Sequence, residues 1–462
     1  MSLCPLFEYS RPDSRVENPG AGDAVNYSLE ACRVYFLHDE ACLSSATPKS
    51  SRLITANGGI VELADIRELR ITEGESILLL VLDGLGGLPM EPGGPTELEA
   101  ARTPNLDALA AAGDLGLHWP VAPAVTPGSG PGHLSLFGYD PLRYRIGRGV
   151  LEALGVEFDL QPGDIAARGN LCTVDSDGVV SDRRAGRIST EKAVPACEAL
   201  DEIEVPGARV FVQAVKEHRF LVVIRMDEPS EADLDDTDPG RVGAPPRPVE
   251  AGTAGSEPLA RVVRSWLDGV PDALSGHDPA NMVLLRGFSQ QPDWPGFPEV
   301  FGLRPLGVAA YPMYRGVARL VGMQAITVPE GPEHLLAAVR EHGPDHDFMF
   351  LHVKATDKAG EDGSFDRKVA AIEEVDAIVS ELVDAYPGVH LVTGDHSTPA
   401  AMKSHSWHPV PFLLHGGPGR GEPTGVEFGE CACAAGSLGR VHGRALMPLA
   451  MSRAGRLGKF GA

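Results

Sequence analysis

The run ILLLVLDG, from Ile77 to Gly84, decides the fold class of this chain. It is continuously apolar and ends in Asp-Gly, which is typical of a strand buried on both faces of a parallel sheet. Two later segments repeat the pattern, FMFLHVKATD over 348–357 and VHLVTGDHS over 389–397. Helical patterns lie between such strands, including TPNLDALAAAG over 103–113 and FDRKVAAIEEVDAIVSELVDAYPG over 365–388. The sequence therefore predicts an α/β protein with a mostly parallel sheet sandwiched by helices.

Composition and hydrophobic pattern divide the chain into three parts. Residues 1–73 are rich in Ser, Pro, Gly and Asn without a sustained period, and we interpret them as an accessory N-terminal extension that is partly disordered. Short β-like runs alternate with polar and Pro-rich loops over 159–301, which predicts an inserted, smaller α+β domain. The main domain is then discontinuous and comprises 74–158 and 302–462.

Composition narrows the function classes. The chain has 462 residues and a net charge of −24, which argues against partners such as nucleic acid or an anionic membrane surface. An anionic substrate would need a local basic pocket or bound metal cations. Seven cysteines without CxxC pairs favour reduced thiols and a cytoplasmic protein. The longest apolar run is too short to span a bilayer, and the N-terminus lacks the apolar region of a signal peptide.

Each of the three predicted buried strands leads to an acid, namely Asp83, Asp357 or Asp395. Ligands of open α/β sheets bind outside the carboxyl ends of the strands. Three acids there, with His396 beside one of them, form a hard, mixed oxygen and nitrogen ligand set that suits Mn²⁺, Mg²⁺ or Zn²⁺.

Two further side chains are within reach of a second metal ion, Glu361 four residues after Asp357 and His405 after Asp395. Two ions about 3.5–4 Å apart can clamp both ends of a phosphoryl displacement. A simpler interpretation stays open. An Asp after a strand is often a helix cap or turn residue, and His405 and His408 are equally compatible with a surface position.

The segment VTPGSGPGHLSLFGYDP, over 125–141, surrounds a single Ser129 with glycine and proline. We interpret this segment as a rigid loop, neither helix nor strand, that presents a hydroxyl. Metal coordination lowers the pKa of a serine hydroxyl and orients its oxygen, so a fixed Ser129 beside a metal ion predicts a nucleophile. A turn residue in a Gly-rich loop is the alternative.

At these residues the sequence resembles the cofactor-independent phosphoglycerate mutases, in the archaeal-type branch of the alkaline phosphatase superfamily. The resemblance runs from Ile77 to the C-terminus and rests on ordered motifs: LLLVLDGLGGLP, TPGSGPGHLSLFGYDP, GRGVLEALG, GDIAARGNLCTV, DTDP, HVKATDKAGEDGSFDRKVAAIEEVD, VTGDHSTPA and HSWHPVPF. It implies an alkaline-phosphatase-like sheet domain with an inserted lid domain. It also implies interconversion of 2- and 3-phosphoglycerate through a phosphoserine intermediate, in glycolysis and gluconeogenesis, without 2,3-bisphosphoglycerate.

The resemblance assigns ligands to two divalent metal ions. One set comprises Asp83, Ser129, Asp395 and His396, and the other comprises Asp357, Glu361 and His405. Ser129 is also the residue that is transiently phosphorylated. Members outside this branch carry His where this chain has Glu361, and the carboxylate favours Mn²⁺ as the first candidate, with Mg²⁺, Co²⁺ and Zn²⁺ as alternatives.

The resemblance also requires groups that bind a phosphorylated small molecule, because arginine suits carboxylate and phosphate. Arg148, Arg187 and Arg219 are the first choices, and the wider set of candidates is Arg168, Arg184, Arg286, Lys354 and His133. A surface salt bridge is the alternative role for each arginine. Asp236 and Asp238 are open candidates for moving protons between the glycerate hydroxyls. The oligomeric state is not predicted.

Three rival functions fit the same motifs. A homoserine kinase-like phosphotransferase shares the scaffold, but such proteins tend to carry Asn where this chain has His133, and no Walker-type loop is present in the sequence. A phosphatase would result if water entered the site. A catalytically inactive binding module is disfavoured by the ligand set.

Overall fold

The computed structural model describes residues 61–418 and 426–461. The predicted disorder of the N-terminal extension therefore concerns residues that, up to 60, lie outside the described part of the chain. Thirteen strands occur in the described residues: β1 (Ser76–Leu82), β2 (Asp114–Trp119), β3 (Ile165–Val174), β4 (Val180–Asp182), β5 (Ala208–Lys216), β6 (Arg219–Met226), β7 (Met282–Gln290), β8 (Pro305–Ala309), β9 (Gln324–Thr327), β10 (Phe348–Val353), β11 (Gly388–Thr393), β12 (Val410–His415) and β13 (Gly439–His442).

The helices of the described residues are α1 (Leu63–Leu69), α2 (Glu97–Ala100), α3 (Pro104–Ala112), α4 (Ser129–Leu136), α5 (Arg148–Gly155), α6 (Thr190–Asp201), α7 (Glu257–Ala273), α8 (Phe297–Phe301), α9 (Pro312–Leu320), α10 (Pro332–His342), α11 (Ala355–Glu361), α12 (Phe365–Ala385), α13 (Glu430–Ala434) and α14 (Leu446–Arg453). Short 3-10 turns cover Ala185–Arg187, Ala254–Ser256, Gly343–Asp345 and Gly443–Ala445. Among the described residues, no helix combines the length and the apolar character needed to cross a bilayer.

The large sheet has eight strands in the order β13-β2-β12-β11-β1-β10-β8-β9. All neighbouring pairs are parallel except the two that involve β12. The three strands predicted from their apolar runs, β1, β10 and β11, lie side by side at the centre. The prediction of a mostly parallel α/β sheet is therefore confirmed.

Strand β1 shows why these runs are continuously apolar. Its odd-numbered residues, Ile77, Leu79 and Val81, point into one core, with residues of α1, α4, α8, α9 and α14. Its even-numbered residues point into a second core, with residues of α2, α3, α10, α12 and α13. Successive side chains of a strand face opposite sides, so a strand covered by helices on both faces needs an apolar residue at each position.

A separate five-stranded antiparallel sheet lies within the predicted insertion. Its order is β4-β3-β6-β5. Strand β7 pairs with β3 along the edge opposite to β6. Helices α6 and α7 cover it and share its own core, in which Trp266 is the largest side chain. An antiparallel sheet covered by two helices is an α+β arrangement.

Two segments near the predicted boundaries pack into the core of the large sheet. Leu63 and Ile66 of α1 belong to that core, although the extension was expected to reach residue 73. Phe297 and Phe301 of α8 also belong to it, although the insertion was expected to end at 301. Both segments are short and carry no repeat long enough to show on which core they pack.

Candidate functional site

The site lies at the carboxyl edge of the large sheet, where β1, β10 and β11 end. Asp83 follows β1 directly, and Asp395 follows β11 after Gly394. Asp357 lies in the first turn of α11, just beyond β10. All three carboxylates are buried. Parallel strands bring their carboxyl ends to one edge, so the acids meet as the sequence predicts.

The first ligand group joins Asp83, Asp395 and His396. The Nε2 atom of His396 lies 3.4 Å from Asp83 Oδ1 and 3.2 Å from Asp395 Oδ2. The buried Asp83 Oδ1 atom has no hydrogen-bond donor among the described residues. Burying a carboxylate oxygen without a donor is costly, and a cation removes that cost. The first predicted ligand set therefore fits a divalent metal ion.

The second group joins Asp357, His405 and, again, His396. His405 Nε2 lies 3.6 Å from Asp357 Oδ1, and its Nδ1 is 3.0 Å from the carbonyl oxygen of Pro127. A carbonyl oxygen only accepts, so Nδ1 carries the proton and Nε2 is free to bind a cation.

Glu361 was predicted in this second set and lies at its margin. Its Oε1 atom is 3.7 Å from His405 Nε2, but its side chain is 54% exposed. The compact group thus contains His396 in place of Glu361. An exposed glutamate at the end of α11 can still approach a cation from the solvent side.

Ser129 is the first residue of helix α4, which corrects the expectation of a loop that is neither helix nor strand. The glycines and Pro131 were the misleading signal. Proline is tolerated in the first turn of a helix, and a Cβ on Gly132 would lie 2.4 Å from the carbonyl oxygen of Asp395, so only glycine permits that approach. The Ser129 Oγ atom lies 3.2 Å from His396 Nε2. The helix start directs free N–H groups and positive potential toward an anion at this position.

His133 supports the serine from within the same helix. Its Nδ1 atom lies 2.8 Å from the Ser129 carbonyl oxygen and 3.2 Å from Asp395 Oδ2. Burial alone would lower the pKa of His133, but the charge and hydrogen bonding of Asp395, the charge of Asp83 and the Ser129 carbonyl oxygen together raise it. His133 therefore lies behind Ser129 and holds the backbone of that residue.

Lys354 lies between the two ligand groups. Its Nζ atom donates to Asp83 Oδ2 at 3.1 Å, to Asp357 Oδ2 at 2.6 Å and to the Tyr314 hydroxyl at 2.8 Å. Burial would lower the pKa of Lys354, but the charges of Asp83 and Asp357 raise it above the ordinary value. The ammonium group stays charged and is available to neutralise an anion.

Three of the predicted arginines, Arg148, Arg168 and Arg219, line one cavity of about 500 Å³. One wall comes from the smaller sheet, which carries Arg168 and Arg219, and another from Tyr311 and the start of α9, the helix that packs on the large sheet. Tyr311 also lines a neighbouring cavity of about 260 Å³ that includes Lys354. On a chain of net charge −24, this is the local basic pocket that an anionic substrate requires.

The guanidinium groups in this cavity repel one another. Burial lowers the pKa of Arg168; Glu152 opposes that shift, and Arg219, Arg286 and Arg148 add to it. Glu152 Oε2 is 3.8 Å from Arg168 and offsets only part of the positive charge. A bound dianion would relieve the repulsion.

The other predicted side chains lie elsewhere. Arg286 faces Arg168 across the β3–β7 pair and contacts Asp236 and Asp238. Asp238 also accepts hydrogen bonds from Nε and Nη2 of Arg183. This acid therefore has a structural role within the smaller sheet. Arg187 is exposed at the end of a 3-10 turn and is not among the residues that line the cavity.

The sequence model of the 2,3-bisphosphoglycerate-independent phosphoglycerate mutases matches residues 110–281. A Thermus thermophilus protein named "Probable 2,3-bisphosphoglycerate-independent phosphoglycerate mutase" is 47% identical over 402 residues, which cover 86% of this chain and 98% of the relative. An Aquifex aeolicus protein of the same name is 45% identical over 407 residues, covering 86% and 99%. The chain belongs to this family.

Two solved structures are similar to this chain over most of its length. The cofactor-independent phosphoglycerate mutase of Thermoplasma acidophilum matches with a TM-score of 0.66 and 30% identity, over 82% of this chain and 100% of that one. The PH0037 protein of Pyrococcus horikoshii matches with a TM-score of 0.70 and 32% identity, over 84% and 100%.

Three residues of the site in this mutase family member were not predicted from the sequence. The Nε2–H group of His352 donates to Asp83 Oδ2 at 3.0 Å, and the His352 ring stacks on Tyr314 with 3.6 Å between centroids. Thr398 contacts both ligand groups. The position of His352 inside the apolar run FMFLHV could have indicated a site residue. No feature of the sequence around Tyr314 or Thr398 indicates that they belong to the site. His352 also influences Asp83: burial would raise the pKa of Asp83, but the His352 hydrogen bond and charge lower it well below its usual range.

Proposed function

We propose that this protein interconverts 2-phosphoglycerate and 3-phosphoglycerate without 2,3-bisphosphoglycerate, through transient phosphorylation of Ser129. One observation carries the proposal. Ser129 Oγ lies at the start of a helix and 3.2 Å from the histidine that both ligand groups share. The substrate is a phosphorylated small molecule, and the reaction belongs to glycolysis and gluconeogenesis in the cytoplasm.

The proposal includes two divalent metal ions, with Mn²⁺ as the first candidate and Mg²⁺, Co²⁺ and Zn²⁺ as alternatives. Asp83, Asp395, His396 and Ser129 would hold one of them. Asp357 and His405 would hold the other, with Glu361 approaching from the exposed side. When bound, such ions lower the pKa of a coordinated hydroxyl and neutralise phosphoryl charge.

Side chains of the protein then carry out the phosphoryl transfer. Ser129 Oγ forms a bond to phosphorus as the bond from phosphorus to the glycerate oxygen breaks, and the serine proton ends on that oxygen. The glycerate re-orients, and its other hydroxyl takes the phosphoryl group back while Ser129 regains a proton. Lys354 is placed to balance the phosphoryl charge, and His133 fixes the serine backbone.

The arginine-lined cavity supplies the substrate contacts in this proposal. Arg148, Arg168 and Arg219 bind the carboxylate and phosphate, for which planar guanidinium groups are suited. Since the cavity lies between the smaller sheet and the start of α9, the smaller sheet acts as a lid in this proposal. A closed lid excludes water, which would otherwise hydrolyse the phosphoserine.

The test is mutase activity on 3-phosphoglycerate with Mn²⁺ and no bisphosphoglycerate, for the wild type and Ser129→Ala. We expect activity in the wild type and none in the variant. Inactivity of folded, metal-loaded wild type would refute the substrate assignment. Release of inorganic phosphate in place of the isomer would favour a phosphatase, and turnover of homoserine with ATP would favour the kinase.

A further inference from the structure

The Thr398 hydroxyl bridges the two ligand groups. It lies 2.6 Å from Asp357 Oδ1, in the second group, and 2.9 Å from Nδ1 of His396, which belongs to both. Thr398 is fully buried. It follows β11 by only a few residues, in the same turn as Asp395 and His396.

The number of protons available in this bridge determines which group donates in each of its two hydrogen bonds. A hydroxyl has one proton to donate, and an ionised carboxylate only accepts. The other oxygen of Asp357 accepts a hydrogen bond from the Lys354 ammonium group at 2.6 Å. The Thr398 proton therefore goes to Asp357, and the hydroxyl oxygen accepts a hydrogen bond from His396 Nδ1–H.

This direction leaves the Nε2 atom of His396 without a proton. Nε2 is the atom that faces Ser129 Oγ, Asp83 and Asp395. A neutral imidazole carries one ring proton, and in this arrangement that proton is on Nδ1. An unprotonated Nε2 is the form that binds a metal ion.

The backbone of Thr398 is held on both sides, so its hydroxyl cannot move away. Its N–H donates to the carbonyl oxygens of Gly84 and Gly86, at 3.2 and 3.0 Å. The buried Lys368 ammonium donates to the Thr398 carbonyl oxygen at 2.9 Å and to Gly86 at 3.0 Å. The bridge is thus built into the turns after β1 and β11.

We propose that Thr398 is a positioning residue that sets the tautomer of His396 and the orientation of Asp357, and so couples the two metal groups. This inference rests on the proposed metal-dependent function. It predicts that loss of one hydroxyl weakens metal binding in both groups at once. Loss of an orienting partner of a metal ligand typically lowers metal affinity 10- to 100-fold.

Three variants test the proposal. Thr398→Val removes the hydroxyl at nearly constant shape, and Thr398→Ser keeps it. Ser397→Ala is the matched control, because the Ser397 hydroxyl lies in the same turn but contacts only the carbonyl oxygens of His408 and Pro409. Circular dichroism establishes that each variant is folded.

Titration calorimetry with Mn²⁺ should show about 10- to 100-fold weaker binding of both equivalents in Thr398→Val, with wild-type affinity in Thr398→Ser and Ser397→Ala. Nitrogen-15 NMR of metal-free protein should show His396 protonated at Nδ1 in the wild type and Thr398→Ser. This preference should be lost in Thr398→Val.

Wild-type metal affinity in folded Thr398→Val would overturn the proposal. So would a His396 proton on Nε2 in the metal-free wild type, a result that needs no variant to fold. Both readouts are independent of catalysis. Failure of the mutase proposal would show as an inactive wild type with these results unchanged.

Discussion

Replacing Arg168 by glutamine removes one of the three guanidinium groups that line the cavity between the smaller sheet and the start of α9, while leaving a polar side chain of similar reach. Arg168 is on the central strand of the smaller sheet, and its side chain is only 34% exposed. A hydrogen bond to a charged group is worth about 1.5–3 kcal/mol. The partial burial of Arg168 places its contact with a substrate anion in this range. That energy corresponds to a loss of roughly ten- to hundredfold in kcat/KM, since 1.4 kcal/mol is a factor of about ten.

The assay is steady-state turnover of 3-phosphoglycerate at saturating Mn²⁺. Arg209→Gln is the control, because Arg209 lies on the same sheet, is paired with Asp201 and is more than half exposed. We expect the control to retain wild-type kcat/KM. Arg168→Lys should recover little, because an ammonium group cannot bind an anion bidentately. Unchanged kcat/KM in folded Arg168→Gln would refute the assignment of this cavity to the substrate.

Three further predictions concern metal preference and stability. Glu361→His exchanges an oxygen ligand for nitrogen and should raise affinity for Zn²⁺ relative to Mn²⁺; an unchanged ratio in competitive titration would exclude Glu361 as a ligand. Lys368→Met leaves the buried Glu97 carboxylate and the carbonyl oxygens of Gly86 and Thr398 without the Lys368 ammonium group, and should lower the free energy of unfolding in urea by about 3 kcal/mol or more. The exposed Lys358→Met should change it little, and equal effects would contradict this. Burial raises the pKa of Glu430 to about 7, so the folded state holds a proton that the unfolded state releases above its ordinary pKa. Wild-type stability relative to Glu430→Gln should therefore fall by on the order of 3 kcal/mol as pH rises from about 4.5 through about 7, and a pH-independent difference would contradict it.

The centre of the fold could be predicted because its strands are covered on both faces. Such strands need apolar residues at every position, and β1, β10 and β11 stand out for that reason. Their acids could be placed together because parallel strands end at one edge. The arginines of the cavity followed from the family resemblance, which requires groups that bind carboxylate and phosphate.

The remaining features depend on contacts that no local pattern encodes. The segment SGPGHLSL has a weak intrinsic preference for helix, because it contains two glycines and a proline. Helix α4 forms because Gly132 packs against the turn that carries Asp395. Thr398 and Asp357 meet although they are 41 positions apart. The core packing of α1 could not be distinguished from an extension, because seven residues carry too short a period.

The most direct measurement is phosphate on Ser129 itself. The Mn²⁺-loaded protein is mixed with 3-phosphoglycerate, quenched in acid during turnover and digested, and the peptide with Ser129 is analysed by mass spectrometry. We predict a single phosphate on Ser129 during turnover, its disappearance when substrate is exhausted and removed, and no phosphopeptide in Ser129→Ala. Isomerisation without phosphate on Ser129, or continued isomerisation by Ser129→Ala, would contradict the account.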